Sequence, residues 1–296
     1  MLKQRVLTAL VLLPLVIALL LLAPLKLFAA AILVVIYLLS LEWAKLLKFR
    51  SAWQASAFAI AVSVVNLSLW WWGGDYRFWP SVSWPSQMVW DLPIIALAVA
   101  LVGLVVAMVI VFTFSVMPKW WSGRLVKGLL AFALLPGFFV ALVSIRAVGS
   151  VSVANSDLYH GGQLVLLMFA MIWAADTGAY LTGKAVGKTK LAAVVSPNKT
   201  WEGALGGVLL SLGVAWLGAL WMHFEVENPL LYSLVAIFLA FVSIVGDLFE
   251  SALKRVSNIK DSGNLLPGHG GVLDRLDSSI VVAPLFFLIF SYQGWL

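Results

Sequence analysis

Gly246 to Asp277 reads GDLFESALKRVSNIKDSGNLLPGHGGVLDRLD, and it is the polar island of an otherwise oily chain. Nine charged residues (Asp247, Glu250, Lys254, Arg255, Lys260, Asp261, Asp274, Arg275, Asp277) fall in it, although only 11% of the whole sequence is charged. They are interleaved with Ser251, Ser257, Asn258, Ser262, Asn264 and the turn Pro267-Gly268-His269-Gly270-Gly271. Acids can hold a hard divalent cation through oxygen, while Lys, Arg and glycine-rich backbone N–H groups neutralise phosphate oxygens. A loop selected only for membrane topology would be basic, with no need of acids three residues apart or a His-Gly-Gly turn. The island therefore reads as a site that handles phosphates and a metal.

Around the island, the 296 residues are 63% hydrophobic with a mean hydropathy of +1.04. That is more apolar surface than a soluble domain of this size can bury, so the chain is an all-α polytopic membrane protein forming a single membrane domain over 1–296. A net charge of +6 and a pI near 9.6 do not indicate nucleic acid, because the cations sit in short loops between apolar spans. They serve topology and an anionic substrate or lipid. With no cysteine there is neither a disulfide nor a thiolate site. The basic start (Lys3, Arg5) and apolar run to Leu22 resemble a signal peptide, but Pro24, Lys26 and another apolar run follow, which predicts a retained first helix.

A ruler of about 20 apolar residues per crossing gives nine spans, near 6–23, 27–46, 53–72, 92–114, 126–146, 164–183, 204–223, 230–250 and 278–294. Alternation then puts 16 of the 19 Lys and Arg residues on one side, leaving only Lys26, Arg77 and Arg146 on the other. The basic side is cytoplasmic, so the N-terminus lies inside and the C-terminus outside. Residues 1–120 carry little polar chemistry and are expected to be scaffold or subunit-contact helices, with the catalytic helices and loops in 164–296.

Acids within spans are costly and default to function. Asp176, Asp247 and Glu250 fall in the inner halves of their spans, so the site opens inward. Glu42, near the inner end of span two, is expected to snorkel or to pair with Lys45 or a basic loop residue. Asp176, Ala179, Tyr180 and Gly183 share one helix face, which aims an acid and a phenol at one neighbour or cavity. The Gly183-Lys184 and Gly187-Lys188 pairs lack the spacing and preceding strand of a P-loop. Further on, Ser196-Pro197-Asn198-Lys199-Thr200-Trp201-Glu202-Gly203 reads as an extended approach to span seven, capped by Asn198 or Thr200, with Glu202 in its first turn. Such a helix start suits a nucleotide phosphate or ribose. Within the island, Asp247, Glu250, Ser251 and Lys254 line one face of span eight, and Asp274 and Asp277 repeat the three-residue spacing. Two acid-bearing helix ends joined by a polar loop can clamp one metal between them.

The run Ser251-x-Leu253-Lys254-Arg255, Lys260-Asp261-x-Gly263 and Leu266-Pro267-x-His269-Gly270-Gly271-Val272-x-Asp274-Arg275-Leu276-Asp277 resembles the signature of the phosphatidate cytidylyltransferase (CDP-diacylglycerol synthase) family. Asp176 to Tyr180 and Ser196 to Gly203 are similar to that family's other motifs, so the likeness is close over about 170–280. The resemblance implies an inner-membrane enzyme that takes CTP and phosphatidate from the inner leaflet and gives CDP-diacylglycerol and pyrophosphate. It also implies Mg²⁺, a monovalent cation such as K⁺ beside it, and a homodimer. On this expectation Asp247 and Asp274 hold Mg²⁺ with Asp277 as a third acid, and Lys254, Arg255, Lys260 and Arg275 share phosphatidate and the leaving pyrophosphate. Lys199 and the Ser196 to Glu202 turn take CTP, with Asp176, Tyr180, Ser251, His269, Gly270 and Gly271 completing the substrate contacts.

Overall fold

The computed structural model describes residues 10, 14–72, 91–116, 120–148, 159–263, 265 and 270–296. Its helices are α1 (14–22), α2 (Leu25–Leu46), α3 (Ala52–Trp72), α4 (Leu92–Thr113), α5 (Arg124–Ala147), α6 (His160–Val186), α7 (Trp201–Trp221), α8 (Pro229–Ser257) and α9 (Leu273–Tyr292). Seven of these, α2 to α8, are long and apolar enough to cross a membrane. The start of α1 lies outside the described residues, and α9 opens with Asp274, Arg275 and Asp277 before its apolar run. An all-α polytopic bundle is thus what the hydropathy predicted. One small departure is an antiparallel hairpin between α6 and α7, formed by β1 (Lys190–Ala192) and β2 (Ser196–Thr200), with Lys190 opposite Thr200 and Ala192 opposite Ser196.

The centre of the bundle is built from α5 and α9. Leu134, Leu135, Phe138 and Phe139 of the first, and Phe286, Phe287 and Phe290 of the second, are buried. Gly137 beside Pro136 lets α5 pack directly on α4, since a side chain there would collide with Ala100. The outer faces stay apolar and exposed: Val102, Val105 and Phe112 on α4, and Leu205, Leu209 and Leu217 on α7. In water such faces would aggregate, whereas lipid tails solvate them without cost.

Two buried cations mark the two ends of the bundle. Lys127 at the start of α5 donates to the Leu46 carbonyl at the end of α2, and to Ser257 Oγ (3.1 Å) at the end of α8. Ser257 in turn donates to Leu46 O at 2.9 Å. A cation among helix C-termini satisfies carbonyls that have no helical partner. At the opposite end Arg146 donates to Ala23 O at 2.8 Å. Helix directions therefore alternate, and the ends of α2, α6 and α8 share one face with the starts of α5, α7 and α9. That face carries the polar island.

Candidate active site

Three elements meet at this face because α6 and α7 approach very closely. A Cβ on Gly203 would meet the Ala179 carbonyl at 2.8 Å, one on Gly178 would meet Gly206 O at 2.7 Å, and one on Gly207 would overlap Ala175 O. Small residues at such a seam let two helix backbones touch. Thr200 starts α7 as its cap, its hydroxyl accepting from Gly203 N–H at 3.1 Å. Of the two caps the sequence allowed, the hydroxyl serves. Glu202 lies outside this contact, half-buried, accepting from the backbone N–H groups of Lys188 and Thr189 at 3.1 Å and so tying the hairpin to α7.

Beside this seam lies a cavity of about 250 Å³ whose lining includes Asp176, Tyr180, Asn198, Lys199, Thr200 and Asp247. Lys199 Nζ reaches across it to Asp247 Oδ2 at 2.6 Å, and the Ser251 hydroxyl stands 3.4 Å from Asp247 Oδ1. Asp176 and Asp277 are within electrostatic range of Asp247, and Arg275 is within range of Asp176. Tyr180 is largely exposed at the cavity and has the Lys184 ammonium 5.8 Å from its ring centre.

A second cluster sits behind the cavity, one helix ridge away. The Lys254 ammonium lies between the Glu250 carboxylate and Asp274 Oδ1, the latter at 2.9 Å. Asp274 also accepts from Ser262 N–H at 3.2 Å and from Gly271 N–H at 2.9 Å. The single face expected on α8 is thus two ridges, because the pair 250 and 254 is turned roughly 60° around the helix from the pair 247 and 251. Asp247 looks into the cavity with Ser251 against it, whereas Glu250 and Lys254 look toward the start of α9.

The remaining residues named from sequence are spread around these clusters. Arg255 donates through Nε to Val195 O at 3.1 Å, holding the hairpin turn against the end of α8. Ser196 is half-buried at the start of β2, and Lys260 and Arg275 are exposed. Asn258 adopts the left-handed conformation (φ 55°) and ends α8, turning the chain toward the island's loop. Gly270 also has positive φ (87°), which glycine alone takes without strain. His269 falls outside the described residues.

Glu42 does not snorkel or pair with Lys45. Its carboxylate is buried at 1% exposure, accepting from Ser262 Oγ at 3.1 Å and from Leu273 N–H at 2.7 Å, while Lys45 is exposed. Snorkelling fails because the loop and the start of α9 close over this end of α2 and offer donors there.

Among the described residues no three acids or histidines could cage an ion by themselves. Mg²⁺ does not need such a cage, since it is commonly held by one or two carboxylates plus substrate phosphates and water. Asp247 offers a carboxylate to the cavity, where a lysine ammonium already rests against it. Asp274 takes four hydrogen bonds from three donors on its two oxygens, which fills its roughly four acceptor positions, so a metal would have to replace one of them. The Asp247 carboxylate, open to the cavity, fits a nucleotide-bound Mg²⁺, while Asp274 stands in the second cluster and would reach the metal only by such an exchange.

An acid-and-cation cavity at one end of a membrane bundle, against the capped start of α7, suits an enzyme that handles phosphate groups. The chain belongs to the cytidylyltransferase family, whose model matches residues 3–293. It is similar over its full length to the phosphatidate cytidylyltransferase of Pseudomonas aeruginosa, with 39% identity covering 100% of this chain and 99% of the relative. The Haemophilus influenzae enzyme of the same name is 35% identical, covering 99% of each. The one from Bacillus subtilis is 45% identical over 47% of this chain and 51% of its own length.

Proposed function

We infer that this chain is a phosphatidate cytidylyltransferase, transferring the cytidylyl group of CTP to phosphatidate to give CDP-diacylglycerol and pyrophosphate in phospholipid synthesis. The observation that carries this is the end-to-end likeness to two enzymes of that name. A phosphatidate oxygen attacks the α-phosphorus of CTP, a new P–O bond forms, and the bond to the bridging oxygen breaks with its electron pair leaving on pyrophosphate. A phosphate monoester is already a nucleophile near neutral pH, so alignment and charge neutralisation carry most of the catalysis.

The roles of individual residues are proposals supported by placement. Lys199, Asn198 and Thr200 line the cavity from the α7 side and would take CTP, with Ser196, Asp176 and Tyr180 around it. Asp247 and Asp274 would hold Mg²⁺, which when bound neutralises phosphate charge and polarises the α-phosphoryl group. On binding of the nucleotide, Lys199 exchanges the Asp247 carboxylate for a phosphate. Arg275 and Lys260, exposed at the same end, would meet phosphatidate and pyrophosphate, with Lys254 behind them. Arg255 and Glu202 support these contacts through the hairpin. Most of the Lys and Arg residues lie at the end of the bundle bearing the site, and the positive-inside bias supports a cytoplasmic orientation for it. Residues 1–120 would serve as scaffold for the catalytic helices.

The test is conversion of phosphatidate by the purified protein in mixed micelles, with CTP, and with Mg²⁺ present or chelated. CTP-dependent formation of CDP-diacylglycerol with equimolar pyrophosphate is expected. Its absence in folded protein would overturn the assignment.

A further inference from the structure

We propose that Glu42 is a positioning residue for cytidylyl transfer: it ties Ser262, within the segment between α8 and α9, to Leu273 at the start of α9, and so fixes Asp274 and, through it, Lys254. This rests on the activity assigned above. Glu42 stands on α2, far in sequence from the island, yet one oxygen, Oε2, takes both the Ser262 hydroxyl (3.1 Å) and the Leu273 N–H (2.7 Å). Ser262 lies five residues past the end of α8, and Leu273 is the first residue of α9. The backbone N–H of the same Ser262 donates to Asp274 at 3.2 Å, and Gly271 N–H donates to Asp274 at 2.9 Å. Two carboxylates from different helices therefore hold one loop neck, with Ser262 shared between them.

The neck is moulded on the Glu42 carboxylate. A Cβ on Gly263 would run into Glu42 Oε1, and a Cβ on Gly271 would run into both Ser262 Oγ and Glu42 Oε2. The carboxylate also faces the N-terminal end of α9, where negative charge is favoured. Among the described residues its second oxygen, Oε1, is buried without a hydrogen-bond partner. The loop-binding work thus falls on one oxygen, which an amide could supply.

The experiment compares Glu42→Gln, Glu42→Ala, Ser262→Ala and the Glu42→Ala/Ser262→Ala pair, all full length in micelles. Three quantities are read: kcat, KM for CTP, and the rate of tryptic cleavage after the exposed Lys260. Glu42→Gln should stay within about fivefold of wild type, because its carbonyl can take over both Oε2 bonds. Glu42→Ala should lose about 100-fold in kcat, the order expected when hydrogen bonds to a charged group are removed. KM for CTP should move little while cleavage accelerates. The pair should be no worse than Glu42→Ala, because Ser262 acts through Glu42. Unchanged kcat and cleavage in Glu42→Ala, or additive losses in the pair, would overturn the proposal. If Glu42→Ala fails to fold, Ser262→Ala decides. A kcat reduced about tenfold with faster cleavage supports the neck, and wild-type values for both refute it. Should the wild type itself fail to turn over, the activity assignment falls, and the cleavage comparison still decides on the neck.

Discussion

Lys199 Nζ and Asp247 Oδ2 are 2.6 Å apart across the cavity, one at the end of the hairpin and the other within α8. Their side chains are 24% and 32% exposed, so water screens the pair and its share of folding stability is small, at most about 1 kcal/mol. On the proposed function its use lies in the reaction. Lys199→Met should raise KM for CTP about tenfold or more while shifting the unfolding temperature in detergent by no more than a few degrees, within the range of a weak pair. A variant that binds CTP normally but melts early would mean that Lys199 is a strut.

Division of labour among the charges gives a second expectation. Asp247→Asn and Asp274→Asn keep side-chain size and remove a negative ligand, so Mg²⁺-dependent turnover should collapse in both while the bundle still folds. Lys254→Gln should lose about 2 to 4 kcal/mol of transition-state stabilisation with the Mg²⁺ concentration for half-maximal rate unchanged. Because Lys254 bridges Glu250 and Asp274, it should also lose thermal stability, on the order of the 3 to 5 kcal/mol found when a buried pair is broken. Titration of activity with Mg²⁺ alongside thermal unfolding separates these outcomes. Wild-type Mg²⁺ dependence in both Asp variants would place the metal elsewhere.

The glycine seam yields a stability prediction with its own control. Gly207→Ala drives a methyl into Ala175 O and should cost about 1 to 3 kcal/mol by overpacking. Activity should fall with it, because α6 and α7 carry Asp176 and the approach to Lys199. Gly213→Ala meets nothing within 4 Å and should be neutral or stabilising by up to about 1 kcal/mol through helix propensity. Thermal unfolding of the two variants side by side reads the difference.

Sidedness can be measured cleanly because the chain has no cysteine. Lys260→Cys places a single thiol at an exposed position beside the island's loop. An impermeant thiol reagent should label it in inside-out vesicles and leave it untouched in intact spheroplasts. Labelling from the outer face would reverse the topology.

Span positions were legible because apolar runs of crossing length record a solvent, and lipid reads composition without regard to partner. The same ruler stopped short on α6 and α8, where Lys184 and the residues from Ser251 to Ser257 continue the helix past the apolar run. Asp176, Tyr180, Lys199 and Asp247 could be named from motif and spacing, and the structure gathers them around one cavity. The hairpin was hidden because Pro197 argues against a strand. It is tolerated here because both strands of a two-stranded hairpin are edges. Glu42 was visible as an acid in a span, but its partner Leu273 lies 231 residues away. No local periodicity encodes a contact of that separation.

The 29 residues of α8 make a rod of roughly 43 Å, longer than the roughly 30 Å oily thickness of a bilayer. Asp247 sits ten residues before its last residue, Ser257, or roughly 15 Å down the rod. Lys127 grips that last residue against α2 and α5, so the rod cannot slide relative to its neighbours. On the proposed function the helix would work as a depth gauge, presenting the nucleotide's phosphates at one fixed level to lipids whose headgroups float with membrane thickness. Turnover in bilayers of graded acyl length should peak where the phosphatidate headgroup stands at that level and decline on either side.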